Sequence, residues 1–140
     1  WLTVAVFLFS ACIRLKEIYQ NRPENAVEGE EHRHPPFAEG SRLLKNAQRN
    51  LANLFEFPIL FYVVCICIHM TGNSDDFFIQ LAHWYFYLRV LHSVYHIFFN
   101  HLVFKGGFPV RSLFWLPSTG IMIYMWHLLM YYLFQFGTGA

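Results

Sequence analysis

The sequence is poor in charge: Asp, Glu, Lys and Arg make up 14% of the chain, whereas hydrophobic residues make up 56%. Its ten Lys and Arg residues are not gathered into a stripe interleaved with aromatic residues, which excludes a nucleic-acid-binding protein. The mean hydropathy is +0.31 and aromatic residues account for 20%, a composition typical of surfaces that face lipid. The sequence therefore predicts a membrane protein with lipid as its surroundings.

Cysteine is also scarce, and the three that occur lie in apolar segments, at Cys12, Cys65 and Cys67. An odd number of such residues excludes a disulfide framework, so they are predicted to be packing thiols. Histidine is more abundant but forms only one His-x3-His pair, His92 and His96, with the spacing of metal ligands. Membrane di-iron oxygenases combine several such boxes with paired carboxylates, and the lack of both disfavours metal catalysis.

Four apolar segments predict four transmembrane helices, at residues 1–19, 41–70, 77–104 and 111–136. The fold class is all-α, a four-helix membrane bundle that forms one domain over residues 1–140. A polar stretch at 21–40 reads as a surface loop, and Ser41 is predicted to cap the second helix. The first apolar run is short for a bilayer, so we expect its helix to continue through residues 14–19.

Positive charge lies almost entirely on one side of this predicted topology. Nine of the ten Lys and Arg residues fall in the first and third connections or at their helix ends: Arg14, Lys16, Arg22, Arg33, Arg42, Lys45, Arg49, Lys105 and Arg111. The turn between the second and third spans carries only Asp75 and Asp76. The positive-inside rule therefore predicts a multi-pass protein whose basic half faces the cytoplasm.

Ionisable and polar residues recur on single faces of two predicted spans. Arg49, Asn53 and Glu56 have the spacing i, i+4, i+7 on the second helix. Arg89, His92 and His96 have the spacing i, i+3, i+7 on the third. Such groups are costly in hydrocarbon and tend to face a cavity, and both sets fall in the cytoplasmic half.

Arginine ends the first helix at Arg14 and opens the fourth at Arg111, followed by Ser112. Several Arg side chains with only Glu56 to balance them favour a multiply anionic ligand. Simpler interpretations remain open for each residue. Glu56 pairs with Arg89 or Arg49 as a structural ion pair, Arg14 and Arg111 extend to the lipid headgroups, or His92 packs as a hydrogen-bonded core residue.

These motifs resemble the MAPEG family, the membrane-associated proteins in eicosanoid and glutathione metabolism. Residues 48–58 carry the second-helix pattern R-x3-N-x2-E followed by Pro58. Residues 89–96 are similar to the family's R-x2-H stretch, residues 109–112 to its P-x-R-S opening of helix four, and residues 13–16 to its end of helix one. The R-V-L-H-S run is most similar to the uncharacterised bacterial branch.

The resemblance implies a homotrimer that binds glutathione between neighbouring subunits, with both termini on the non-cytoplasmic side. It implies that the tripeptide is held by Arg14, Arg49, Asn53, Glu56, Arg89, His92 and, on the same stripe, His96. Glu56 would pair with its amino group, and the Arg side chains with its carboxylates. Arg111, with Ser112, would lie near the sulfur as the catalytic pair, because a nearby cation stabilises a thiolate.

This chain departs from the eicosanoid-making members at several positions. His96 stands where they carry Tyr, Ala52 where they carry a basic residue, and Leu54 where they carry an acidic one. The segment between Arg89 and Arg111 is about six residues longer, which leaves the register of Arg111 open.

The function predicted from sequence is a membrane-bound, glutathione-dependent transferase or peroxidase that acts on a lipophilic electrophile or hydroperoxide. The second substrate would enter from the lipid along the first and fourth helices. The alternatives are a non-catalytic lipid- or thiol-binding scaffold and an accessory subunit of a membrane complex.

Overall fold

A computed structural model describes residues 1–20, 41–103, 107 and 109–136, and the predicted loop at 21–40 lies outside them. Five helical segments follow one another: α1 (Leu2–Gln20), α2 (Arg42–Glu56), α3 (Pro58–Met70), α4 (Asp76–Phe98) and α5 (Ser112–Phe136). Within the described residues the only β contact is an isolated bridge between Val103 and Pro109. Because α2 and α3 form one interrupted rod, the fold is an all-α arrangement of four helices, as predicted.

The interruption between α2 and α3 lies at Phe57 and has a local cause. Pro58 has no backbone N–H, so the carbonyl of Leu54 lacks its usual donor four residues later. The chain continues in the same direction because the Leu60 N–H donates to the Phe57 carbonyl at 3.2 Å. The break therefore removes one helical hydrogen bond next to Glu56 and Phe57, while Phe57 keeps helical dihedral angles of φ −68° and ψ −41°.

Side-chain caps define where two of the helices begin. The Ser41 hydroxyl accepts a hydrogen bond from the Leu44 N–H at 3.2 Å, which confirms the predicted cap. The Asp75 carboxylate accepts one from the Phe78 N–H at 2.8 Å and opens α4. A carboxylate at this position also complements the positive end of the helix dipole.

Helix α4 ends at Phe98, six residues before the end predicted from the apolar run. Asn100 lies two residues beyond the end of α4, and its amide donates to the Asn46 side-chain oxygen at 3.0 Å. The backbone then turns so that the Val110 N–H donates to the Leu102 carbonyl at 3.1 Å. These tertiary contacts override the helical preference of the run and bring the start of α5 back against α4.

The helices pack into one bundle in which α4 lies along α5, α2 lies against both α1 and α4, and α3 lies against α5. Two apolar clusters form its interior. One joins α3, α4 and α5 through Val64, Ile68, Phe78, Met125 and Leu129. The other joins α1, α2 and α4 through Val6, Leu54 and Ile97.

The outer surfaces of α1, α3, α4 and α5 are rich in exposed apolar side chains, which include Phe7, Ile66, Trp84 and Phe134, whereas α2 exposes several charged residues. Water does not favour such a surface, whereas lipid tails do. Among the described residues, two rods are long and apolar enough to cross a membrane, at 42–70 and 112–135. Helices α1 and α4 carry more polar and charged residues along their length.

Candidate functional site

The interface between α2 and α4 is lined with polar side chains that pair in antiparallel order. Near the start of α2, the Asn46 amide donates to the Ile97 carbonyl at 3.2 Å. Near the end of α2, the Asn53 amide lies 3.4 Å from Nε2 of His92. The two helices therefore share a polar face that runs inward from the end of α4.

A pocket of about 460 Å³ opens at the end of this face, where α2, α4 and the start of α5 meet. Seven of the ten described residues that line it have polar or charged side chains. The lining residues are Arg49, Ala52, Asn53, Glu56, Phe57, His92, His96, Arg111, Ser112 and Trp115.

His92 ties together the three helices around the pocket. Its Nδ1 lies 3.0 Å from the backbone carbonyl of Arg111, and a carbonyl can only accept, so Nδ1 carries a proton. Nε2 of the neutral ring is then free to accept from the Asn53 amide. The histidine therefore fixes the start of α5 against α2 through a single imidazole.

The beginning of α5 presents positive charge to the pocket in two ways. The Arg111 side chain lines the pocket one residue before the helix, and Ser112 is the first helical residue. The positive end of the helix dipole adds to the guanidinium charge. Arg111, whose register the sequence left open, therefore lies in the pocket, and the Val103–Pro109 bridge precedes it.

The charged side chains of the pocket do not neutralise one another. Within the described part of the chain, no ion pair joins Glu56 to Arg49 or to Arg111, and both Glu56 and Arg49 are exposed to solvent. Such an open arrangement of two guanidinium groups and one carboxylate can bind a ligand that carries carboxylates and an amine. A structural ion pair of Glu56 with Arg89 or Arg49 is not formed.

Two of the nine predicted site residues lie away from this pocket. Arg14 lines a second pocket, of about 420 Å³, between α1 and α2, together with Phe7, Leu15 and Gln48. Arg89 is 2% exposed, and its Nε donates to the Tyr85 hydroxyl at 3.1 Å. The other seven, from Arg49 to Ser112, share the first pocket.

Three lining residues were not predicted from the sequence: Ala52, Phe57 and Trp115. The rings of Phe57 and Trp115 meet edge to face with centroids 5.5 Å apart, and they form an apolar wall beside the charged groups. Trp115 follows Arg111 at i+4, so helical spacing was a usable signal for it. Phe57 follows Asn53 at i+4 and keeps helical dihedral angles, so the same spacing was a usable signal for it.

His92 and His96, the pair with the spacing of metal ligands, lie side by side in the pocket. The ring centroids of His92 and His96 lie 5.6 Å apart, and both rings face the pocket. Within the described residues, no three His, Cys, Asp or Glu side chains are close enough to share a metal ion.

Comparison with known proteins identifies the family to which this bundle belongs. The model of the MAPEG family matches residues 1–131, which is nearly the whole chain. Neither a search of curated proteins nor one of solved structures finds a match. Since the family match spans α1 to α5 in order, the chain belongs to the MAPEG family, whose members are membrane-embedded helical bundles.

Proposed function

We propose that this protein is a membrane-bound, glutathione-dependent transferase or peroxidase whose thiol site is the pocket between α2, α4 and α5. Family membership supports a glutathione-related function in general. The observation that carries the specific proposal is the pocket itself, which gathers Arg49, Glu56 and Arg111 without pairing them. Glutathione has two carboxylates and one amine, so it complements these charges.

The arrangement assigns a part of the ligand to each end of the pocket. Among the described lining residues Glu56 is the only carboxylate, and it is the natural partner of the ligand's ammonium group. Arg49 and Asn53, on the same face of α2, bind a ligand carboxylate. Arg111 and Ser112, at the positive end of α5, lie beside the sulfur and stabilise it as thiolate.

The stabilised thiolate then reacts with a lipophilic substrate. With an electrophile such as an aryl halide, the sulfur forms a bond to carbon and halide leaves. With a hydroperoxide, the sulfur attacks the terminal oxygen, the alkoxide leaves and takes up a proton, and a second glutathione reduces the sulfenic acid to disulfide and water. The apolar wall of Phe57 and Trp115 gives the second substrate a surface to pack against.

A homotrimer would complete the pocket on its open side. Arg49 and Glu56 are exposed in the single chain, and α1, which carries Arg14, packs on the other side of α2. In the trimer that we propose, α1 of a neighbouring copy covers the pocket and brings its own Arg14 to the ligand. This arrangement gives Arg14 the ligand-binding role that it lacks within one chain.

Glutathione titration of purified protein, followed at the thiolate absorbance, tests the proposal. The native chain should form bound thiolate, and Arg111→Ala should lower the thiolate fraction at least tenfold because it removes the cation nearest the sulfur. Arg42→Ala is the matched control, since Arg42 is an exposed arginine seven residues before Arg49 that does not line the pocket.

The same preparation distinguishes an enzyme from a binding protein. Turnover is measured with a lipophilic aryl halide and with a lipophilic hydroperoxide. Thiolate formation without turnover of either would support the scaffold alternative. The absence of glutathione binding by the native chain would refute the proposal.

A further inference from the structure

Three buried polar groups at the α2–α4 interface are not explained by the site described so far. Asn50 is fully buried, and neither its amide nitrogen nor its oxygen has a hydrogen-bond partner. The Ser93 hydroxyl, on a side chain 2% exposed, and Nδ1 of His96 are buried and without a partner as well. We call Asn50, Ser93 and His96 the inner polar cluster.

The helix register places these three residues along the same stretch of the α2–α4 interface. Asn46 bonds to Ile97 and Asn53 contacts His92, so α2 and α4 run past each other in opposite directions between these points. Asn50 lies between the two contacts on α2. Ser93 and His96 are the buried polar residues between them on α4. Unpaired polar groups are costly in such an interior, and a cluster of this kind usually holds water.

His96 connects the inner polar cluster to the pocket. His96 lines the pocket, and its Nδ1 is buried without a partner, which leaves Nε2 as the ring nitrogen available to the ligand space. A neutral imidazole carries its proton on one nitrogen only, and the partner of one nitrogen decides the role of the other. A donor at Nδ1 would leave the proton on Nε2.

We propose that the inner polar cluster is a hydration site in which water, held by Asn50 and Ser93, donates to Nδ1 of His96 and directs its Nε2–H into the pocket. Three polar partners match what a buried water requires. His96 then donates a hydrogen bond to the ligand sulfur, and Asn50 and Ser93 act as positioning residues. This role rests on the proposed function, because it supplies a donor to a bound thiolate.

The Nε2–H group of His96 lies in a pocket that also contains other charged and titratable groups. Within the described residues these groups are Arg49, Glu56, His92 and Arg111. His92 cannot replace His96 in this role, because its two nitrogens are used by Arg111 and Asn53. A hydrogen bond to an ionised sulfur strengthens as the charge develops, so its loss lowers the thiolate fraction more than it lowers affinity.

The first test does not depend on glutathione. Nuclear magnetic resonance of protein labelled with 15N and 13C in histidine reports which ring nitrogen of His96 carries the proton. The native chain should show the Nε2–H form, and Asn50→Leu should move the population toward the Nδ1–H form. A native ring protonated on Nδ1 would overturn the proposal.

The second test measures the thiolate-to-thiol ratio of bound glutathione at saturation. Asn50→Leu and Ser93→Ala should each lower it about tenfold, and Asn50→Ser, which supplies a hydroxyl in place of the amide, should retain most of the native ratio. Asn46→Leu is the matched control, because Asn46 lies on the same face of α2 and bonds to Ile97 and Asn100 instead.

The outcomes separate this proposal from the proposed function. Equal losses in Asn50→Leu and Asn46→Leu would show a purely structural role and overturn it. Adding His96→Phe to Asn50→Leu should cause no further loss, since Asn50 acts through His96. If the native chain forms no thiolate, the proposed function fails while the tautomer measurement still decides the hydration site.

Discussion

Among the described residues that line the pocket, Glu56 is the only acidic side chain, and it is the last residue of α2 and forms no ion pair with Arg49 or Arg111. We predict that Glu56→Gln weakens glutathione binding about 10–100-fold, because a charge-assisted hydrogen bond to the ligand's ammonium group is lost. Isothermal titration calorimetry measures the dissociation constant of glutathione for both proteins.

A ligand analogue tests the assignment of Glu56 directly. Glutathione acylated at its amino group has no ammonium charge, so Glu56→Gln should change its affinity little. An equal loss for both ligands would contradict the assignment and indicate a general disturbance of the pocket.

His92 is expected to act on stability as well as binding. His92→Leu removes the contacts to Asn53 and to the Arg111 carbonyl, and we predict a decrease of about 1–3 kcal/mol in the free energy of unfolding. Glutathione affinity should fall in parallel, because the start of α5 is no longer fixed. His83→Leu is the control, since His83 is an exposed histidine on the same helix. Similar effects of both substitutions would contradict a positioning role.

Helical spacing in the sequence predicted most of the residues that line the pocket, but it also included residues that lie elsewhere. Arg49, Asn53 and Glu56 were placed on one face by their spacing, and all three line the pocket. Arg89 belongs to the stripe of His92 and His96, yet its guanidinium turns to Tyr85. Spacing gives the direction of a side chain around the helix, whereas the neighbour that it meets depends on how the other helices pack.

At the scale of whole helices, the N-terminal cap of α4 allows helix stability to be tested far from the pocket. Asp75→Ala removes the hydrogen bond to the Phe78 N–H and should lower the free energy of unfolding by about 1 kcal/mol. Glutathione binding should not change, because the turn lies at the opposite end of α4 from His92 and His96. Ser74→Ala, an exposed neighbour that makes no cap, should have no effect. Equal destabilisation by both variants would contradict the capping role.

The helix ends differ in how well the sequence specifies them. Ser41 and the acidic turn at 71–76 mark starts of helices through local chemistry, and local chemistry can be read from sequence. The end of α4 at Phe98 depends on Asn100 reaching Asn46, which lies more than fifty positions away. A contact of that range is invisible in an apolar run, so the predicted helix was too long.

For the whole molecule, the one-sided distribution of Lys and Arg predicts that the pocket end faces the cytoplasm. Single-cysteine variants in a background lacking Cys12, Cys65 and Cys67 test this orientation in intact cells. A membrane-impermeant maleimide should label Ser74→Cys directly, and Arg42→Cys only after the cells are permeabilised. Both positions are exposed in the structure, so access to reagent depends on the membrane. The reverse pattern would contradict the predicted topology.

The return of the chain between α4 and α5 also affects how related proteins are compared. Val103 pairs with Pro109 outside the helices, and Arg111 lines the pocket two residues later. The number of residues between His96 and Arg111 is then a poor guide to which arginine of a relative corresponds to Arg111. Alignments of distant relatives should be anchored at the Pro-x-Arg-Ser opening of the last helix. Insertions before this motif are expected to leave the position of the arginine in the pocket unchanged.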